Sequence, residues 1–140
     1  MRAHKGGARE HTARAEYLLP CTVASAGRAR RLTSAFLTRT HSRIAAVGAE
    51  QVADATLIAS ELVANAVRHG RTGCRLRLQV GAGRVTVEVH DDAPGRPRTR
   101  AVHADDESGR GLAIVRALTE RFDVAVPVTG GKTVRAVLAV

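Results

Sequence analysis

Residues 74–90, CRLRLQVGAGRVTVEVH, constrain the fold more than any other stretch of the chain. Leu76, Leu78 and Val80 alternate with Arg75, Arg77 and Gln79, and after the triplet GAG the residues Val85, Val87 and Val89 alternate with polar partners. A period of two sends every second side chain to the same face, so each half reads as a strand with one wet face and one buried face. A glycine-rich triplet between two such runs predicts a hairpin turn. Whatever else the chain builds must cover one side of an antiparallel pair.

Helical periods supply the cover. Ala29, Leu32, Phe36 and Leu37 recur at helical spacing between 24 and 40, with Arg28, Arg30, Arg31 and Arg39 on the other faces, which predicts an amphipathic helix. A second helix is expected over 49–69, closed by Gly70 as a C-terminal cap. A third, through Leu112, Ile114, Val115 and Leu118, is expected to open near Leu112. FDVAVPV and TVRAVLAV around TGGK read as a second hairpin, and EYLLP at 16–20 as an extended entry that Pro20 confines to an edge or a break. The expected fold class is an α+β two-layer sandwich, a mixed, largely antiparallel sheet with helices packed on one face.

At 140 residues there is room for one domain. Residues 1–15 are basic and lack apolar periodicity, so they are expected as a tail, with 16–140 as the folded unit. No apolar run reaches membrane-spanning length and no signal-like stretch opens the chain, so a cytoplasmic protein without a membrane partner is expected. The excess of 22 basic over 13 acidic residues, a net +9, suits an anionic partner. Tyr17, Phe36 and Phe122 are too few to furnish stacking platforms for single strands, which argues against nucleic acid, although a basic duplex-binding module stays open. Cys21 and Cys74 lack zinc spacing, and the six histidines show no HExxH pattern, so no site built from protein ligands alone is expected.

Two phosphate-binding motifs fail on inspection. GGKT at 130–133 lacks the earlier glycine of a P-loop, the position being Val126, and β-branched sequence follows it. GRGLAI at 109–114 has Ile114 where a dinucleotide fingerprint wants its third glycine, and a polar loop rather than a strand precedes it. The Gly109–Gly111 pair still fits the opening of a helix whose free N–H groups could seat phosphate oxygens. On the second helix Glu61, Asn65 and Arg68 line up along the border of the apolar face. Such a stripe offers a carboxylate for a hydroxyl, an amide for a magnesium ion and a cation for phosphate, yet alone it is more simply a solvated border.

The order of these pieces is more specific than any of them. ELVANAVRHG, VEVHDDAPG, ESGRGLAIV and GKTV follow one another as the N box, the two glycine boxes and the closing strand do in the GHKL ATPase superfamily, whose Bergerat ATP-binding fold the chain resembles over about 16–140. Among its members the short chain looks most like the anti-sigma factor serine kinases. That resemblance implies ATP with Mg²⁺ as cofactor, Asn65 as the magnesium ligand and Glu61 as the general base. It further implies Asp91 as acceptor for the adenine amino group with Thr133 in support, and Arg68, Gly95, Gly109, Arg110, Gly111 and Leu112 along the nucleotide. Partners would be a sigma factor and an antagonist protein whose serine receives the γ-phosphate, and such relatives often form homodimers. The sequence departs from the family pattern at Ala93, where the first glycine box often has glycine, and at Arg135, often tryptophan in similar short proteins. A kinase-inactive ATP-binding or protein-binding module is the alternative reading.

Overall fold

The computed structural model describes residues 12–40, 47–70, 72–92, 107–128 and 130–140. In chain order these form β1 (Ala13–Leu19), α1 (Ala24–Thr40), α2 (Ala49–His69), β2 (Cys74–Gly81), β3 (Arg84–Asp91), α3 (Glu107–Leu118), β4 (Arg121–Ala125) and β5 (Lys132–Ala139). The strands make one sheet in the order β1-β2-β3-β5-β4. Every pairing in it is antiparallel, so the sheet is simpler than the mixed one expected. Both expected hairpins are present. The first turns through Ala82 and Gly83, both at positive φ (56° and 74°), the geometry that matches the twist of a two-residue hairpin.

The strand alternation decides where the core lies. Leu76, Leu78 and Val80 of β2, Val85, Val87 and Val89 of β3, and Val134, Ala136 and Leu138 of β5 share one face and are buried. Against them pack Ile58, Leu62 and Val63 of α2, Phe36 and Leu37 of α1, and Val115 of α3, giving two layers. One defect stands in this core. Thr33 of α1 is fully buried, and its hydroxyl finds no hydrogen-bond partner among the described residues. A buried donor without a partner costs about 1–3 kcal/mol. Thr33→Val keeps the shape, loses the hydroxyl and is expected to raise stability by about 1 kcal/mol, read as a higher denaturant midpoint at unchanged slope.

The opposite face is charged in a regular way. Glu16, Arg77, Glu88, Arg135 and Asp123 are successive register partners across all five strands, with alternating sign. Arg77 reaches Glu16 at 3.3 Å and Glu88 at 3.1 Å, and Arg75 also reaches Glu16 at 3.2 Å. Part of the arginine excess is therefore spent on neutralising this face, each exposed pair contributing well under 1 kcal/mol. The groove of about 550 Å³ along it, lined by Arg14, Glu16, Arg77, Glu88 and Arg135, lies on the face away from the helices.

Two boundaries differ from expectation. β1 starts at Ala13, so residues 13–15 belong to the sheet and not to a tail; residues 1–11 lie outside the described residues. Ala13 and Ala15 pair with Val80 and Leu78, but alanine carries too little apolar surface to announce a strand. α3 starts at Glu107 and not near Leu112, so Gly109 and Gly111 lie within its first turns. Glycine costs a helix about 1 kcal/mol relative to alanine, and tertiary packing overrides that cost here.

Candidate functional site

The floor of the site is one row of the sheet. Leu19, Cys74, Asp91 and Lys132 are consecutive register partners on β1, β2, β3 and β5, and Cys74 and Asp91 are buried. All four leave the helix-facing side at the end of the sheet where α2 finishes. Cys21 lies against that finish, its Sγ 3.6 Å from the carbonyl oxygens of Val67 and Gly70. Burial pushes the Cys74 thiol up from 9.0 to about 11, and the neighbouring Asp91 carboxylate and Cys21 add to the rise.

That rise has a stability consequence. The folded state holds the Cys74 proton more tightly than the unfolded chain, so its contribution is complete below about pH 9 and is lost as pH climbs towards about 11. Wild type is expected to lose stability over that window more steeply than Cys74→Ala, measured as denaturant midpoints at a series of alkaline pH values. Equal slopes would mean that the thiol is not held protonated by its surroundings.

Above the floor stands α2. Its core-facing residues Ala55, Ile58, Ala59, Leu62, Val63 and Ala66 fix the rotation of the helix. That rotation carries Asn65 inward, where it is 8% exposed, and leaves Glu61 half-buried at the border and Arg68 exposed in the last turn. Among the described residues the Asn65 amide makes no hydrogen bond, and since Thr33 Oγ1 is the one buried side-chain polar atom without a partner among them, the polar end of Asn65 reaches solvent and is open to a ligand. The Glu61 carboxylate reaches across to α3. A Cβ on Gly111 would collide with Glu61 Oε1 and sit 3.3 Å from its Cδ, so the absence of a side chain at 111 is what admits the carboxylate. Glu61 and Gly111, singled out by sequence, thus meet at one seam between two helices, with Asn65 one turn along α2 from Glu61. Leu112 is half-buried beside them against the core.

The two glycines therefore differ in position on the helix. With α3 starting at Glu107, the N–H of Gly111 falls beyond the four free groups of the first turn, while that of Gly109 falls among them. Gly95 lies outside the described residues, as does the side chain of Arg110.

Thr133 is the clear correction. The resemblance puts it beside Asp91, but the register partner of Thr133 is His90, and the two project from the open face of the sheet. There His90 Nδ1 and Thr133 Oγ1 are 2.7 Å apart, and His90 Nε2 lies 2.7 Å from Asp92 Oδ1. A one-residue offset reverses the face, and Lys132, not Thr133, stands opposite Asp91. The signal was present in the sequence: Val134, Ala136 and Leu138 have core parity, which assigns residue 132 to the helix side.

Comparison with known proteins agrees with this architecture. The family model described as a histidine kinase-like ATPase domain matches residues 19–138. The chain belongs to that family. No curated protein sequence matches it. The histidine kinase-like fold recurs in the structure of the RsbU and RsbW domains of Rv1364c from Mycobacterium tuberculosis, at TM-score 0.68 and 22% identity over 91% of this chain. The chain spans only 32% of that protein. It also resembles the histidine kinase domain of the blue-light activated kinase EL346 from Erythrobacter litoralis, at TM-score 0.53 and 21% identity, covering 97% of this chain and 71% of that one. At TM-score 0.51 and 15% identity, the Acinetobacter baumannii histidine kinase AdeS shares the fold over 89% of this chain and 67% of its own.

The residues present fit the magnesium that this family implies. Among the described residues no three His, Cys, Asp or Glu side chains gather to hold a metal. Magnesium takes most of its shell from waters and phosphate oxygens, so one amide oxygen such as that of Asn65 would suffice as the protein's share. No helix among the described residues is long and apolar enough to cross a membrane.

Proposed function

We propose that this histidine kinase-like ATPase domain binds ATP with Mg²⁺ at the seam of α2 and α3. It then transfers the γ-phosphoryl group to a serine of an antagonist protein and, in its other state, holds a sigma factor. The observation that carries the reading is the Glu61 carboxylate seated in the notch left by Gly111, one helical turn from the Asn65 amide, which makes no hydrogen bond among the described residues. A structural border stripe needs no side-chain-free notch opposite its carboxylate.

In this arrangement Asp91, at the end of β3, accepts a hydrogen bond from the adenine amino group and fixes the base against the floor of the sheet. The Asn65 oxygen and Arg68 face the phosphate end, and the free N–H groups at the start of α3 lie on the same side. Magnesium held between Asn65 and the phosphates would neutralise charge on the transferring group. Glu61 orients the serine hydroxyl and takes its proton as the Oγ–P bond forms and the bond from the γ-phosphorus to the bridging oxygen breaks, releasing ADP. Phosphoryl transfer asks chiefly for positioning and charge stabilisation, which a small two-layer domain can supply.

Incubation with γ-labelled ATP and candidate antagonist proteins is expected to give magnesium-dependent label on serine, absent with Glu61→Gln. Nucleotide binding without transfer to any candidate would replace this reading with that of a module acting by protein contact alone.

A further inference from the structure

We propose that Lys132 is a second base-reading residue, its ammonium donating a hydrogen bond to a purine ring nitrogen beside the exocyclic amine that Asp91 accepts. The inference rests on the nucleotide reading above and assigns to this chain a contact that Thr133 cannot make. Thr133 projects from the open face and is engaged with His90. Lys132 is the direct register partner of Asp91, and opposed residues of an antiparallel pair share a face with Cβ atoms about 5 Å apart. The parity of β5, with Val134, Ala136 and Leu138 in the core, places Lys132 on the helix-facing side with Asp91.

The chain before it is shaped to permit this. Gly130 and Gly131 both take positive φ (104° and 81°), and a Cβ on Gly131 would press to 2.9 Å from the backbone oxygen of Asp91. β5 therefore enters tightly against the end of β3, and Lys132 is the first residue with a side chain over the floor. It is half-buried, and among the described residues its ammonium makes no hydrogen bond or ion pair. An acceptor and a donor side by side on one row match adenine, whose amino group donates and whose adjacent ring nitrogens, N1 on one edge and N7 on the other, accept. A threonine in this place would offer a neutral hydroxyl, whereas lysine offers a charged donor with a long reach, and hydrogen bonds from charged groups are the stronger ones.

The test is binding of ATP, 1-deaza-ATP and 7-deaza-ATP to wild type and to Lys132→Met, which keeps the apolar stem, with the melting temperature of the free proteins as a fold control. Wild type is expected to bind ATP about tenfold or more tightly than Lys132→Met does. That penalty should vanish for one of the two deaza analogues and persist for the other, because only one ring nitrogen receives the ammonium. A penalty equal for all three ligands would make Lys132 a partner of Asp91 alone and overturn the proposal, as would no penalty at all. If wild type binds none of them, the nucleotide reading itself fails, which is a separate outcome.

Discussion

Gly111→Ala is expected to lower phosphoryl transfer by about a hundredfold or more while leaving the protein as stable as wild type, or more stable by up to about 1 kcal/mol. The two effects part because of what the new Cβ would meet. Its near neighbours are all atoms of Glu61, first Oε1, then Cδ and Cγ, and none is backbone. The carboxylate is the free end of a half-buried side chain, so rotation about its own torsions relieves the overlap without moving α2 or α3. Alanine also recovers the helix propensity that glycine forfeits inside α3. Stability is therefore held or gained. Activity is not, because the displaced group is the one proposed to take the serine proton, and a positioned general base is worth about 10²–10⁴ in rate. Glu61→Gln should cost about as much, and adding Gly111→Ala to it should cost nothing further. Retained transfer in Gly111→Ala would show that the carboxylate does not act from the notch. A loss of several kcal/mol would show that the helices, not the carboxylate, had yielded.

This double role of Gly111 marks the limit of what was legible in the sequence. The alternation of 74–90 and the helical spacing of 24–40 and 49–69 fixed those elements because each buries one face against the same core, so local pattern and tertiary need coincide. Ala13 and Ala15 left little trace, since pairing with β2 rather than side-chain size makes them strand. The glycines of 109–111 were ambiguous in a different way. Their type announced that a side chain was unwanted, but whether the space serves a phosphate or a neighbouring carboxylate depends on the position of α2, which lies far away in sequence. Thr133 failed for want of one step of register. In a strand the chemistry of a residue counts only on the face it occupies, so a hydroxyl of the right type one position away belongs to a different site.

Asn65→Ala is expected to abolish the magnesium-dependent part of ATP affinity, tenfold or more, and to leave the free protein about as stable as before. Asn65 as a residue is nine-tenths buried on α2, and its amide makes no hydrogen bond among the described residues. The amide has no hydrogen bond within the described fold to lose, and alanine is the best helix former, so the gain in helix propensity offsets the small cavity that truncation leaves. The measurement is thermal stabilisation by ATP with and without Mg²⁺. A ligand at a hundred times its dissociation constant adds about 2.7 kcal/mol to the folded state, so wild type should show a large magnesium increment. Asn65→Ala should show the same small response to ATP with or without the ion. An undiminished increment in the variant would remove Asn65 from the metal. Had the residue been kept for packing, stability and binding would fall together on truncation. A loss of binding without a loss of stability is expected only where a side chain that the fold does not use is kept for a ligand.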